Sequence, residues 1–149
     1  MLLGIMSSLA ATVFWAILLL IAKASWQHRR AKNFIGTYTM HTPNGSATGG
    51  KVTFLRNNWW DDLLSPTPSL RVFAEQGTGR KPGTQDWIAV VELRGFSNTA
   101  TGYYSYQDRS GGSLRFELYK DGEITEYGTP FDSSAPFILR LIRVGSKHS

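Results

Sequence analysis

Met1 to Ala22 contain no charged side chain, and Lys23, Arg29, Arg30 and Lys32 then follow within ten positions with no acid among them. About 20 residues at ~1.5 Å rise each reach across a hydrocarbon layer of roughly 30 Å when helical. The rest of the chain is polar. The pattern predicts a transmembrane helix over residues 1 to 22, a basic juxtamembrane linker over 23 to 33, one soluble domain over 34 to 144 and a tail over 145 to 149.

The N-terminal flank of the span offers only the α-amine, whereas the C-terminal flank carries the four bases and His28. Basic flanks stay on the cytoplasmic side, so a single-pass protein with a cytoplasmic C-terminal domain is expected. The competing reading is a signal peptide, since Ala22-Lys23-Ala24 has small-x-small spacing and cleavage there would leave a secreted or periplasmic chain. The missing basic n-region and the length of the apolar run argue against it. The absence of cysteine fits a reducing compartment.

Gly4, Ser8, Thr12 and Ala16 recur every four residues and share one helix face. Such a small-xxx-small stripe lets two backbones approach closely, which makes a homo-oligomer through the helix one reading and packing against lipid the other. Trp26, Arg29 and Arg30 sit where an indole and its basic neighbours anchor at headgroup level, so membrane lipids are an expected partner.

The whole chain is basic, with sixteen Lys and Arg against eleven Asp and Glu, but four of the bases and none of the acids lie before residue 33. The soluble domain is therefore nearly neutral and lacks the broad basic face that a phosphate backbone requires. Nucleic acid is not an expected partner.

Residues 34 to 144 sustain no helical periodicity. Short runs rich in Val, Ile, Phe, Tyr, Trp and Thr alternate with Gly, Asn, Asp, Ser and Pro clusters. Strands are predicted at 34–41, 51–56, 69–75, 86–95, 101–108, 113–119, 123–128 and 136–144. Asn44-Gly45, Ser110-Gly111-Gly112 and Asp121-Gly122 supply hairpin turns. With hairpin-sized connections and no βαβ crossover, sequential strands should pair, and closure removes both sheet edges. The expected fold class is all-β: a small antiparallel up-and-down barrel of about eight strands, preceded by one transmembrane helix.

Catalytic patterns are scarce. His28, His41 and His148 have no zinc-binding spacing, cysteine is absent, and no Gly-x-Ser-x-Gly occurs, so neither a catalytic residue nor a metal or cofactor is expected. Asp61 and Asp62 read as helix-capping or solvated, and Glu92 and Arg94 as exterior charges opposite the apolar set Trp87, Ala89, Val91 and Leu93. Trp59 and Trp60, in a segment with helix-start and helix-stop signals, plug a barrel end, stack on a ligand or meet the nearby bilayer. The Gln76 to Gln85 segment reads as a flexible loop or, with Arg80 and Lys81 among glycines, as a place where backbone N–H groups and two cations meet an anion. Arg140, within PFILRLIRV, needs a partner: either an ion pair, or an anion gripped inside the barrel. Tyr104 and Tyr106 share a face and are candidate cavity liners beside Arg140 and Tyr38.

Gly36-Thr37-Tyr38 in the first strand, with Arg140 and Arg143 in the last, resembles the calycin plan, in which lipocalins open on Gly-x-Trp and a late arginine packs across it; Tyr38 stands here for that Trp. A looser resemblance is to bacterial antiphage effectors that join membrane helices, typically two, to a small cytoplasmic β-barrel recognising cyclic nucleotides. These resemblances imply a barrel that binds a small molecule, nucleotide or lipid, and a role in defence. The resulting expectation is a non-enzymatic, membrane-anchored ligand-binding barrel acting as sensor or effector. The alternative is an assembly protein that binds a partner through the barrel's outer face.

Overall fold

The computed structural model describes residues 2–56, 67–75, 87–94, 97–106, 110–132 and 135–145. A single helix, α1 (Leu2–Phe34), leads into eight strands: β1 (Gly36–His41), β2 (Ala47–Arg56), β3 (Ser69–Glu75), β4 (Trp87–Leu93), β5 (Thr99–Tyr106), β6 (Gly111–Leu118), β7 (Ile124–Pro130) and β8 (Phe137–Arg143). Each strand pairs antiparallel with the next, and β8 closes onto β1 through Tyr38↔Arg143 and Met40↔Leu141. The expected up-and-down barrel is the observed one.

Period-two alternation drives the closure. In β4 the side chains of Trp87, Ala89, Val91 and Leu93 are buried while Ile88, Val90 and Glu92 are exposed. Register then carries each inward position onto inward neighbours, as in Leu70↔Val91 and Ala100↔Phe116. Glu92 and Arg94 lie outside, as their parity with Ile88 and Val90 requires.

Residues 23 to 33, expected as a linker, continue α1 without a break. No glycine or proline interrupts Lys23 to Phe34, and Gln27, Ala31 and Phe34 are buried, so tertiary contact holds the last turns. Phe34 meets Phe54 at 6.2 Å between ring centroids and forms the floor of the barrel. The Tyr38 hydroxyl donates to the Phe34 carbonyl (3.0 Å), and Arg143 Nη2 donates to the carbonyls of Ile35 (2.7 Å) and Asn33 (3.2 Å). These donors satisfy carbonyls that a helix end otherwise leaves bare. Gly36, at φ +148°, turns the chain from helix to strand, and a Cβ there would lie 3.3 Å from Arg143 Nε.

From Ser8 to Ile21 α1 is uncharged and exposed, as at Leu9, Phe14, Trp15 and Leu19. By length and composition the helix is able to cross a membrane. On its small-residue face Thr12 Oγ1 donates to the Ser8 carbonyl (2.9 Å), and Ser8, Thr12 and Ala16 are exposed; Gly4 belongs to the same helix.

Candidate functional site

The barrel interior has two unlike ends. The floor is the end that α1 enters; the mouth is the end at which β1 leaves for β2 and β7 for β8. On β2, inward side chains shrink from floor to mouth as Phe54, Val52, Gly50, and on β3 as Leu70, Val72, Ala74. On β6 the order is Phe116, Leu114, Gly112, and on β7 it is Ile124, Glu126, Gly128. The aromatic rings of the upper half come instead from β4, β5 and β8, as Trp87, Tyr104, Tyr106 and Phe137. Tyr104 meets Trp87, Tyr106 and Phe137 at centroid separations of 5.7, 5.6 and 6.4 Å.

Two glycines make recesses in this upper wall. A Cβ on Gly112 would lie 2.5 Å from Tyr104 Cε1, and one on Gly128 would lie 1.9 Å from Phe137 Cζ. The rings of Tyr104 and Phe137 therefore lie against the wall, in space that any side chain at those positions would occupy. Exposure follows the same gradient: Tyr38, Phe54 and Phe116 are at 0%, whereas Met40, Trp87 and Tyr104 are at 4–6%. At the mouth, Ala74, Trp87 and Tyr106 border an open depression of ≈ 550 Å³ that continues over the rim to Phe73, Ile88 and Ser105.

Glu126 stands at the boundary between the two halves. Its register partners are Phe116 on β6 and Leu139 on β8, it is 0% exposed, and neither carboxylate oxygen has a hydrogen-bond partner. Removal from water without a compensating donor pushes its carboxyl up to about 8. The Tyr104 phenol is also raised, first by burial and then by the negative charge available at Tyr106, Asp132 and Glu126, which places Tyr104 within electrostatic reach of the carboxyl. An inward acid that holds its proton near neutral pH both donates and accepts a hydrogen bond.

Arg140 does not line the interior. It pairs with Thr125 and His41 on the outward parity, and its guanidinium binds the Glu123 carboxylate through Nε and through Nη2 (2.8 Å). Its ion pair is an exterior one, and the Glu123 carboxylate holds its pKa above the usual guanidinium value. Tyr38 faces inward but belongs to the floor rather than to any accessible wall: it packs edge-on against Phe54 at 5.5 Å, with the Arg143 guanidinium 5.5 Å from its ring. That arginine across the first-strand aromatic is the arrangement the lipocalin resemblance implies, made by Arg143 rather than Arg140.

Tyr104 and Tyr106 do share the inner face of β5 near the mouth. Arg30 donates to the carbonyls of Ser97 (2.6 Å) and Arg94 (3.4 Å) and lies 4.8 Å from the Trp26 ring, so this expected interface residue ties α1 to the β4–β5 connection. His28 bonds Arg56 in the same joint, while Arg29 and Lys32 are exposed. Trp59, Trp60, Arg80 and Lys81 lie outside the described residues, as do Asp61 and Asp62.

Glu126 is the interior group that the sequence reading missed. In Ile124-Thr125-Glu126-Tyr127-Gly128 both parities mix polar and apolar residues, so hydropathy does not say which face is inward. The discriminating signal is pairing across the hairpin to Phe116.

No family model matches the sequence, and no curated protein matches it. Among solved structures, a redesigned β-barrel is similar at 21% identity and TM-score 0.53, over 77% of this chain and 94% of that one. A second redesigned β-barrel, mFAP1 bound to DFHBI, is similar at 20% identity and TM-score 0.52, over 77% of this chain and 98% of that one. At these identities the likeness is one of fold alone, a β-barrel.

Proposed function

We propose that this chain is a non-enzymatic binding module: a barrel held at a membrane by α1, cytoplasmic in orientation, that takes a small, flat, largely apolar ligand into the upper half of its interior. The observation that carries the reading is the taper of the inward side chains. Four strands give up side-chain volume toward the mouth, two aromatic rings lie in glycine recesses, and the mouth opens onto a rim depression. Pockets of this kind, mostly apolar with a few polar groups, are the usual setting for small-molecule binding. Among the structural neighbours, mFAP1 is a barrel of similar fold with DFHBI bound.

Filling the upper wall tests the reading. In the full chain in lipid nanodiscs, Ala89→Leu should leave thermal stability unchanged or raise it, because it occupies space a ligand would take, and should remove small-molecule adducts seen by native mass spectrometry. A drop of about 1–3 kcal/mol, the usual cost of overpacking a filled core, would overturn it.

A second reading, docking of a partner protein, rests on the outer face. Ile88, Val90, Tyr103 and Phe131 are each more than half exposed, and the Tyr103 and Phe131 rings lie 6.1 Å apart. Under that reading, Val90→Lys with Tyr103→Lys abolishes association in crosslinking and leaves ligand binding intact.

A further inference from the structure

Inside the proposed chamber the polar chemistry is acidic rather than basic. Glu126 is the one acidic side chain buried in the wall among the described residues, and both of its oxygens lack a partner. The inward arginine, Arg143, is at the floor, engaged with Tyr38 and the carbonyls of Asn33 and Ile35, and Arg140 is outside. A phosphate or carboxylate reaching this depth would meet Glu126, while Arg143 is held at the floor by Tyr38 and the helix-end carbonyls. The complement of an unpartnered carboxyl is a group that donates, or that donates and accepts together.

Geometry narrows the class further. Mouthward of Glu126 the wall is Gly128 and Gly112, and the rings of Phe137 and Tyr104 lie in those recesses with Trp87 packed on Tyr104, so the body that takes the place of those rings is flat and aromatic. A carboxylic acid presents an O–H donor and a C=O acceptor about 2.2 Å apart in one plane, which matches an N–H donor fixed beside a ring nitrogen.

We propose that Glu126 is the recognition residue for a flat heteroaromatic ligand carrying an amidine-type edge, an exocyclic N–H donor next to a basic ring nitrogen, with Tyr104 flanking the bound ring. This deepens, and rests on, the reading of the upper barrel as a binding chamber. The carboxyl O–H points to the ring nitrogen and the carbonyl oxygen accepts the exocyclic N–H. If the proton moves, it passes from the carboxyl oxygen to the ring nitrogen and leaves a carboxylate accepting two N–H donors, with no net gain or loss of protons. The burial that keeps the empty site protonated favours the neutral form of this pair.

Three near-isosteric probes separate the features: 2-aminoquinoline has the full edge, 2-naphthylamine lacks the ring nitrogen, and quinoline lacks the exocyclic N–H. Calorimetric titration of each into the full chain in nanodiscs, with empty nanodiscs as the blank, should give 2-aminoquinoline an affinity at least tenfold above the other two. Glu126→Met, which keeps the volume and removes both polar atoms, should erase that preference. Glu126→Gln, which still offers one donor and one acceptor, should retain part of the preference. Saturable binding of all three probes with equal affinity, or a preference that survives Glu126→Met, overturns the assignment and leaves the chamber standing. No saturable binding of any probe overturns the chamber and the assignment together.

Discussion

Glu126 binds its proton more tightly in the folded chain than in the unfolded one, because its carboxyl leaves water without gaining a donor. Between its ordinary value of 4.5 and about 8 the folded state keeps the proton and the unfolded state has lost it, so stability is full below the lower value and falls as pH rises to the upper one. At about 1.4 kcal/mol per pH unit the loss is on the order of 4–5 kcal/mol. Urea unfolding of the full chain at pH 5, 7 and 9 should show this decline, and Glu126→Met should flatten it and raise the midpoint at pH 9. Arg140→Ala should leave interior binding untouched in the same titrations, since its guanidinium pairs with Glu123 on the outer wall. The contrast between these residues shows what was legible at this scale. Arg140 stands out because every close neighbour is apolar, yet the strand's outward positions Ile138 and Ile142 are simply apolar residues on a barrel's outside. Glu126 sits in an unremarkable stretch, and only the partner strand reveals that it points inward.

Between strands, one residue of turn length decides that face. A two-residue Asp121-Gly122 turn would set Phe116 opposite Tyr127 and turn Glu126 to solvent. The observed connection is one residue longer: Gly122 N–H donates to the Tyr119 carbonyl (3.0 Å), Tyr119 N–H to that of Glu123 (2.9 Å), and Gly122 adopts φ +85°. Phe116 consequently faces Glu126. Turn position was readable from the Asp-Gly pair, whereas turn length was not, because both loops use the same residues. Gly122→Ala should cost about 1 kcal/mol in thermal unfolding, the usual charge for a side chain at positive φ. Strand number, order and most boundaries were legible for the opposite reason: short β-rich runs recur eight times, and the Asn44-Gly45 and Asp121-Gly122 turns agree with them, although Gly111 and Gly112, read as a turn, belong to β6. The floor was less so, since nothing local marks Phe34 as a plug or Arg143 as the residue that spans Tyr38 and the helix end. Phe34→Ala should cost ~3–5 kcal/mol, the range for deleting a buried aromatic, read as a shift in the unfolding midpoint.

At the scale of the molecule, α1 is one continuous rod of about 50 Å at ~1.5 Å per residue, longer than a hydrocarbon core by roughly 20 Å. The excess is the basic segment that Arg30, His28 and Gln27 bring against the barrel. Full-length protein should remain with vesicles through an alkaline carbonate wash, and protease added outside sealed, right-side-out vesicles should spare the barrel; release by the wash or digestion would remove the anchor or its orientation. The hydropathy pattern made the helix legible, but not that it would run unbroken into the barrel floor. Because that floor is sealed by Phe34 and the mouth is at the far pole, strands of about seven residues, or ~23 Å, separate the bilayer side from the entrance. Under the proposed function the ligand would arrive by water: a molecule dissolved in the bilayer would have to leave it and travel the height of the barrel before it could enter, so occupancy would report the aqueous concentration of a solute rather than the composition of the anchoring membrane.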